Sequence, residues 1–449
     1  MKNLLFIFLY LSYLTQAIAE DKLTQSLTLR DAINFSLHNN LNIKAAAFGA
    51  EAATYGSQIA TAGYLPQIAF EEAFAASNAP TRTFMMKLDQ SRFTQNDFQI
   101  SNLNRPGNWH DFRTSLSITQ PLFAPAVLPA MDMAEQDAIK GKILFDAAKE
   151  EIAFKTFRIY LDIQRNREQL KAAGQAVTDA RENLRLAEVR NRAGIGLRSD
   201  ELRARTHLSQ AEQILITEQN NLLLAGMQLS IITGQYENNL ADRVEEQLFI
   251  PSVAVSPEEM IKTAIQERAD LKVSRAEIGK AGAAVKLAKS AYLPVVGVSA
   301  AYQLNSKELP FGSDNDAWMA GVNLNWQLFD GFRRSGEKNR AVAERSAAIQ
   351  LLESRNREVT YQVQESFMRR QESGKRLEVA RHAVRDAEET VRLVSKRFEN
   401  SLSTMVELLD AQTALNQARA AQVNSEADFA LAGGKIYFNA GIFLKEILK

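Results

Sequence analysis

The sequence predicts a mostly α-helical protein with a membrane β-barrel, assembled from duplicated units that each contain strands and a long helical hairpin. Three observations lead to this fold class: an internal repeat, two very long segments without proline, and four segments of alternating polarity. The repeat is clearest in the pattern LxAxTxLxQA, which occupies 202–211 and returns at 409–418. A duplication of about 200 residues divides the chain better than ordinary globular domains do. We therefore expect a first structural repeat over 20–249 and a second over 250–449.

The first nineteen residues, 1–19, have the features of a cleavable signal peptide. Lys2 supplies the positive end, an apolar run extends from Leu4 to Leu14, and Ala17-Ile18-Ala19 is a small-x-small cleavage site. An uncleaved anchor is the alternative, although the run is too short to span a bilayer. We expect the mature protein beyond the inner membrane, either soluble or inserted in an outer membrane as strands.

Composition excludes several classes of function. Lysine plus arginine balances aspartate plus glutamate, 53 against 53, so nucleic acid is not expected as a partner. The chain has no cysteine, which removes disulfides and thiolate metal sites. No nucleophile–base set or phosphate-binding glycine loop is present, and the four histidines lack ligand spacing. We expect no enzymatic activity, no metal and no cofactor.

Proline placement predicts the long helices. No proline occurs in 130–250 or after 310, and a proline inside a helix costs about 3 kcal/mol or more. The first block predicts a helix from about Ala130 to Ala193, a turn, and a return helix from Ser199 as N-cap to Thr233. The second repeats this plan from about Phe332 to Phe398 and returns from Thr404. Sixty-odd residues make each outgoing helix roughly 95–100 Å long, and each return helix about half that.

Two shorter helical patterns run over 28–62 and 257–290. Stacked end to end on a return helix, each matches an outgoing helix in length. Leucine, valine and alanine at seven-residue spacing in 170–187 and 377–394 predict helix pairs wound left-handed. An ordinary antiparallel coiled coil has the same seams and is the alternative.

Four segments alternate between apolar and polar residues. They begin near Ile68, Phe112, Val296 and Trp318, and the fourth extends to Leu328. Glu72 on the apolar side weakens the first. Segments of this length suit membrane-spanning strands with aromatic residues near their ends, while a sheet on a soluble core has the same alternation. Four strands cannot close a barrel in lipid. Two copies give eight strands and a filled interior, and three copies give twelve strands and a lumen.

Several short segments recur in the order that a known family shows. They are Tyr64-Leu65-Pro66, Tyr292-Leu293-Pro294, Gln120-Pro121-Leu122-Phe123 and Gln327-Leu328-Phe329-Asp330-Gly331. Over nearly the whole mature chain, the protein resembles the TolC-like outer-membrane efflux family. The resemblance implies a homotrimer with a twelve-stranded barrel in outer-membrane lipid and an α-helical coiled-coil tunnel through the periplasm. It also implies a periplasmic adaptor (membrane fusion) protein that connects the tunnel to an inner-membrane pump or ABC transporter. The link at 77–110 is then an extracellular loop.

The resemblance places adaptor contacts at the two helix turns. The residues concerned are Ala193, Gly194, Ile195 and Gly196 in the first turn, and Asn400, Ser401, Leu402 and Ser403 in the second. A tight reversal alone explains Gly194. Because Ser401 replaces the family's usual glycine, we expect the two tips to differ as contacts.

The resemblance also assigns residues to the closed periplasmic entrance. Glu407 and Asp410 match an acidic pair, Asp200 matches a residue that holds the entrance shut, and Phe398 is grouped with them. Six carboxylates in one trimeric constriction favour partial protonation or bound cations. Acids that complement a helix dipole are the simpler explanation. Ser403 stands where relatives carry a basic latch residue, and Arg198 is a possible substitute.

Three functions are compatible with these features. The leading interpretation is an outer-membrane channel of a tripartite efflux system for small molecules. A duct for type I protein secretion uses the same architecture, and a soluble periplasmic coiled-coil scaffold uses only the helices.

Overall fold

The computed structural model describes residues 26–235 and 240–448. The predicted signal peptide lies outside these residues. The strands are β1 (Gln67–Ser77), β2 (Trp109–Phe123), β3 (Val295–Ser306) and β4 (Asn315–Asn325). The helices are α1 (Leu29–Asn39), α2 (Leu41–Thr61), α3 (Pro80–Asp89), α4 (Ile100–Asn104), α5 (Val127–Arg192), α6 (Arg198–Thr233), α7 (Leu240–Arg243), α8 (Pro257–Glu267), α9 (Ala269–Ser290), α10 (Arg333–Glu399), α11 (Met405–Asn439) and α12 (Phe443–Ile447). The described chain is mostly helical, as predicted.

The long helical hairpins are confirmed. Helices α5 and α10 contain 66 and 67 residues, and α6 and α11 return from them. One boundary was predicted wrongly: α6 begins at Arg198 with Leu197 at the N-cap, and Ser199 lies inside the first turn. The prediction for α11 is confirmed, because Thr404 is its N-cap and accepts a hydrogen bond from the Glu407 N–H.

The two shorter helical segments are each broken once, which the prediction of continuous helices over 28–62 and 257–290 missed. Asn40 separates α1 from α2, and Arg268 separates α8 from α9, both with extended backbone. These two residues lie at the same distance before the two Tyr-Leu-Pro segments. Asn40 Nδ2 donates to the Ile232 carbonyl at 3.0 Å, and Arg268 Nη1 donates to the Asn439 carbonyl at 3.1 Å. Each break therefore supplies a donor to the unpaired carbonyls where a return helix ends.

The described residues form two compact units, and each takes segments from both predicted repeats. The first unit contains 26–49, 142–235, 240–273 and 352–448, and the second contains 50–141 and 274–351. The main hydrophobic core lies in the first unit, where Phe157, Tyr160 and Phe443 are fully buried. The Tyr160 hydroxyl donates to the Leu27 carbonyl at 2.9 Å, which ties the start of the described chain to α5.

The second unit holds a single antiparallel sheet in the order β1-β2-β3-β4. Among the described strands, β1 and β4 are the edges, and each has one hydrogen-bonded neighbour. One cross-strand row carries large apolar or aromatic side chains on every strand, and they are 60%, 52%, 46% and 77% exposed: Phe70, Leu116, Tyr302 and Trp318. The fourth strand ends at Asn325, so the predicted extension to Leu328 was wrong. Glu72 remains in β1, where the Thr114 hydroxyl donates to Oε2 at 2.5 Å.

The link between β1 and β2 is folded. It contains α3, a 3₁₀ turn at Gln95–Phe98, and α4. The buried Gln90 amide donates to Asp111 Oδ1 at 2.8 Å, and the Asn305 amide donates to Asp111 Oδ2 at 2.7 Å. These bonds attach the link to the ends of β2 and β3. Within the described residues, no helix has the length and apolarity that crossing a bilayer requires.

Candidate functional site at the two hairpin tips

The first tip joins α5 to α6 by a turn that depends on glycine. Gly194 has a left-handed backbone with φ of +72°. The N–H groups of Ile195 and Gly196 both donate to the Arg190 carbonyl, at 3.1 and 3.0 Å. A Cβ atom on Gly196 would lie 2.9 Å from the backbone of Arg190, so this position also requires glycine. Ile195 and Leu197 are left about two-thirds exposed on the tip.

The second tip joins α10 to α11 with a related geometry and no glycine. Ser401 has φ of +61°, and its N–H donates to the Phe398 carbonyl at 3.0 Å. The Leu402 N–H donates to the Arg397 carbonyl at 2.7 Å. The Leu402 side chain is 68% exposed, whereas Ser403 is partly buried. Both tips therefore present an apolar residue to solvent from a left-handed turn.

Arg190 connects the two tips. Its Nη1 donates to the Phe398 carbonyl at 3.0 Å, and its Nη2 donates to the Ser401 hydroxyl at 2.9 Å. The guanidinium also lies 4.7 Å from the centre of the Phe398 ring, in a cation–π contact. A single side chain of α5 thus contacts the end of α10 and the turn that follows it.

A small hydrophobic cluster lies beneath this contact. Its buried members come from both hairpins: Ala187, Ala204, Phe398, Met405, Leu408 and Leu409. Phe398, which sequence reasoning assigned to the entrance, is only 5% exposed. In this structure Phe398 therefore joins the hairpins by packing rather than by presenting its ring to solvent.

Glu201 holds the first hairpin together next to the turn. This buried carboxylate accepts hydrogen bonds from Asn191 Nδ2 at 2.8 Å, from Arg205 Nη2 at 2.9 Å and from Arg198. The bonds from Asn191 and then Arg198 lower the pKa of Glu201. Arg198, considered above as a substitute latch, is bonded within its own hairpin. The predicted Asp200 is partly buried beside this network.

The two carboxylates of the acidic pair in the second hairpin differ in their surroundings. Glu407 completes a capping box: its Oε2 accepts from the Thr404 N–H at 2.9 Å and from the Ser403 hydroxyl. The bond from Ser403, followed by that from the Thr404 N–H, lowers the pKa of Glu407. Asp410 is exposed and lines a cavity between α6 and α11. The two carboxylates, predicted together as an acidic pair, are thus held differently.

Sequence reasoning missed Arg190 and Glu201. A signal existed for Arg190, since the internal repeat relates it to Arg397, and both arginines precede their turns by the same number of residues. Arg397 Nη2 donates to the Leu402 carbonyl at 3.3 Å within its own turn. Glu201 lies in helical register with Ala204, Leu208 and Ala211, which places it on the face that α6 turns toward α5.

Known proteins match this chain along most of its length. The family model described as outer membrane efflux protein matches residues 32–235 and 260–438. The outer membrane protein TolC of Vibrio cholerae is 22% identical over 323 residues, which cover 71% of this chain and 74% of TolC. The proteases secretion protein PrtF of Dickeya chrysanthemi is 19% identical over 407 residues, which cover 88% of this chain and 84% of PrtF. The open-state crystal structure of the MtrE outer membrane channel of Neisseria gonorrhoeae superposes with a TM-score of 0.76 at 17% identity, covering 94% of this chain and 90% of MtrE.

Proposed function

Because the chain belongs to the outer membrane efflux protein family, we propose that it forms the outer-membrane channel of a tripartite efflux system for small molecules. It is an outer-membrane protein that reaches into the periplasm, and its family contains efflux and secretion channels. In our proposal an inner-membrane pump or ABC transporter delivers cargo, and a periplasmic adaptor connects that pump to this channel.

The four-stranded sheet is the observation that carries the proposal. Strands β1 and β4 are unpaired on one side among the described residues, and the row from Phe70 to Trp318 exposes apolar side chains across the sheet. Unpaired strand edges are not tolerated in lipid. Pairing β4 of one copy with β1 of the next satisfies both edges, and three copies supply twelve strands around a lumen. Two copies would also pair the edges but would leave a filled interior, so a channel with a lumen requires the homotrimer.

The hairpin tips support a periplasmic role as entrance and docking surface. Ile195, Leu197 and Leu402 are exposed apolar residues on two turns that Arg190 joins. In the proposed trimer these residues contact the adaptor, and the Arg190 bonds hold the two hairpins of a subunit together at a closed entrance. Asp200, Glu407 and Asp410 belong to this region, with Asp410 the carboxylate available to attract cations.

Planar bilayer recording tests the channel. Purified protein is expected to produce stepwise single-channel conductance, and unboiled samples are expected to migrate as a trimer in gels. Absence of conductance from correctly folded, trimeric protein would contradict the proposal. A soluble coiled-coil scaffold would produce neither result.

The likeness to PrtF favours type I protein secretion as the second candidate. A strain that lacks this chain separates the two functions. For small-molecule efflux, the deletion strain accumulates a fluorescent dye and regains efflux when the chain is restored. If dye accumulation is unchanged while a secreted protein disappears from the medium, secretion is the function.

A further inference from the structure

His207 is the only described side chain in the region between α6 and α11 with a buried, unpartnered ring nitrogen. Its Nε2 lies 3.3 Å from the Thr413 hydroxyl of α11. That hydroxyl donates its own proton to the Leu409 carbonyl at 2.8 Å, so it can only accept from His207. The proton of neutral His207 is therefore assigned to Nε2, which leaves Nδ1 as a bare lone pair. Nδ1 is hidden from solvent and has no hydrogen-bond partner among the described residues.

Few side chains fill the space around the contact between His207 and Thr413. A cavity of about 240 Å³ lies on one side, between α5, α6 and α11. A second cavity of about 410 Å³ lies on the other side, toward the tips, between α6 and α11. His207, Gln210 and Thr413 line both cavities. The polar contact between His207 and Thr413 thus bridges the two return helices where little else fills the space between them.

No described carboxylate is bonded to the imidazole ring. The charged residues that line the two cavities are Arg203 and Glu218 from α6 and Asp410 and Arg419 from α11, while α5 contributes none. Arg419 Nη2 donates to Glu388 at 2.9 Å, and Glu218 accepts from the Asn221 amide at 3.1 Å. Asp410 lines the cavity on the tip side without bonding to the ring, and burial is the cause that lowers the pKa of His207.

We propose that protonation of His207 in acid loosens the contact between the two return helices, α6 and α11, next to the tips. We call this effect the release. Protonation adds an N–H at Nδ1, where the described residues offer no acceptor, and it places a positive charge in a partly buried contact. Separation of the helices gives the ring access to water and removes both penalties. Because the pKa is lowered in the packed state, the release operates below the ordinary histidine value of about 6.5. Packing is favoured at neutral pH, and separation is favoured as the pH falls. As a regulatory element of the entrance, it rests on the proposed channel function.

Spin labels across the contact test the release. The chain has no cysteine, so Gln210→Cys and Gln417→Cys introduce one exposed label on α6 and one on α11. Doubly labelled subunits are mixed with an excess of unlabelled subunits, and electron–electron distances are measured in detergent at pH 7.5 and pH 5. We expect the distance distribution to shift to longer values at pH 5. In His207→Gln, which keeps a donor for Thr413 and cannot be protonated, we expect this shift to be lost.

His382→Gln is the matched control, because His382 is an exposed histidine of α10 that contacts Arg385, and it should keep the shift. His207→Asn replaces His207→Gln if the latter does not fold. A distribution that does not change with pH in the wild-type background, or a shift that persists without His207, would overturn the proposal. The distance measurement does not depend on transport. A distance that stays the same at both pH values in a protein that still conducts ions would therefore rule out the release without contradicting the channel function.

Discussion

Gly194 and Ser401 occupy the same turn position in the two repeats, and both have left-handed backbones, with φ of +72° and +61°. Glycine adopts this conformation without a steric penalty, whereas a residue with a Cβ atom loses roughly 1–2 kcal/mol. At the second tip, the Ser401 hydroxyl accepts a hydrogen bond from Arg190. The departure from glycine thus coincides with the bond that joins the two hairpins.

Replacement of Gly194 by alanine is expected to destabilise the protein by about 1 kcal/mol, because only the backbone is strained. A Cβ atom at Gly194 would meet no other atom within 4 Å. Gly174→Ala is the control, because this helical glycine of α5 also has open space around its Cα. The control should be stabilised by roughly 0.5–1 kcal/mol. Chemical unfolding of the detergent-purified protein measures both, and equal effects at the two positions would contradict the strain at the turn.

Arg190→Ala is expected to separate the two tips within a subunit, since it removes the bonds to Phe398 and Ser401 together with the cation–π contact. Arg192→Ala is the control, because Arg192 bonds only to a carbonyl of its own helix at 3.4 Å among the described residues. Faster amide hydrogen exchange over 398–404 and larger single-channel conductance are expected for Arg190→Ala alone. Indistinguishable exchange in the two variants would exclude a role for Arg190 as the connection.

Glu201→Gln is expected to destabilise the first hairpin, and Asp200→Asn much less, because Glu201 is the carboxylate bonded to Asn191 and two arginines. The pKa of Glu201 is lowered in the folded state. Its contribution to stability is therefore complete above the unfolded value of about 4.3 and is lost as the pH falls through the folded value. Thermal unfolding from pH 7 down to pH 3 should show the wild type and Glu201→Gln converging in acid. A constant difference across this range would rule out the charged network.

Asp410→Asn is expected to reduce cation preference and block by multivalent cations without changing thermal stability. Glu407→Gln should loosen the start of α11, because the capping box with Thr404 depends on the Glu407 carboxylate. Reversal potentials under a salt gradient measure cation preference, and hydrogen exchange over 404–410 measures the helix start. Unchanged selectivity and block in a variant with Glu407 and Asp410 both replaced by alanine would refute their placement along the conduction path.

Glu150→Gln is expected to stabilise the protein at neutral pH. Burial, the main cause, raises the pKa of Glu150, although the carboxylate accepts a hydrogen bond from the Leu444 N–H at 3.1 Å. Glutamine retains an acceptor for that bond and resembles the protonated acid. The gain should be full above the folded pKa and should shrink as the pH falls through it. The melting temperature, measured at neutral and at acidic pH, checks this prediction. Glu151→Gln, at the adjacent exposed position, should change the melting temperature little under both conditions, and an equal gain there would exclude burial as the cause.

Prediction from the sequence succeeded where the signal is local. The absence of proline, the seven-residue spacing and the Thr404 cap predicted the long hairpins to within a few residues, and alternation predicted the four strands. Prediction from the sequence failed at Asn40 and Arg268, where the helical pattern of the residues continues although the helix is broken. Both side chains bond to helix ends that are remote in sequence, and helical periodicity carries no information about such partners.

By itself, the sequence determined the duplication, the helix and strand periods and the family, because each is recorded in the order and spacing of neighbouring residues. The tertiary structure alone decided which charged groups meet at the tips. Arg190 bonds to a carbonyl 208 residues away. Glu201 is buried, whereas Asp200 beside it is less so. Glu407 bonds to the start of its own helix, whereas Asp410 lines a cavity. The physical reason is that hydrogen bonding and desolvation depend on distances between side chains, and only the packing of the helices sets those distances.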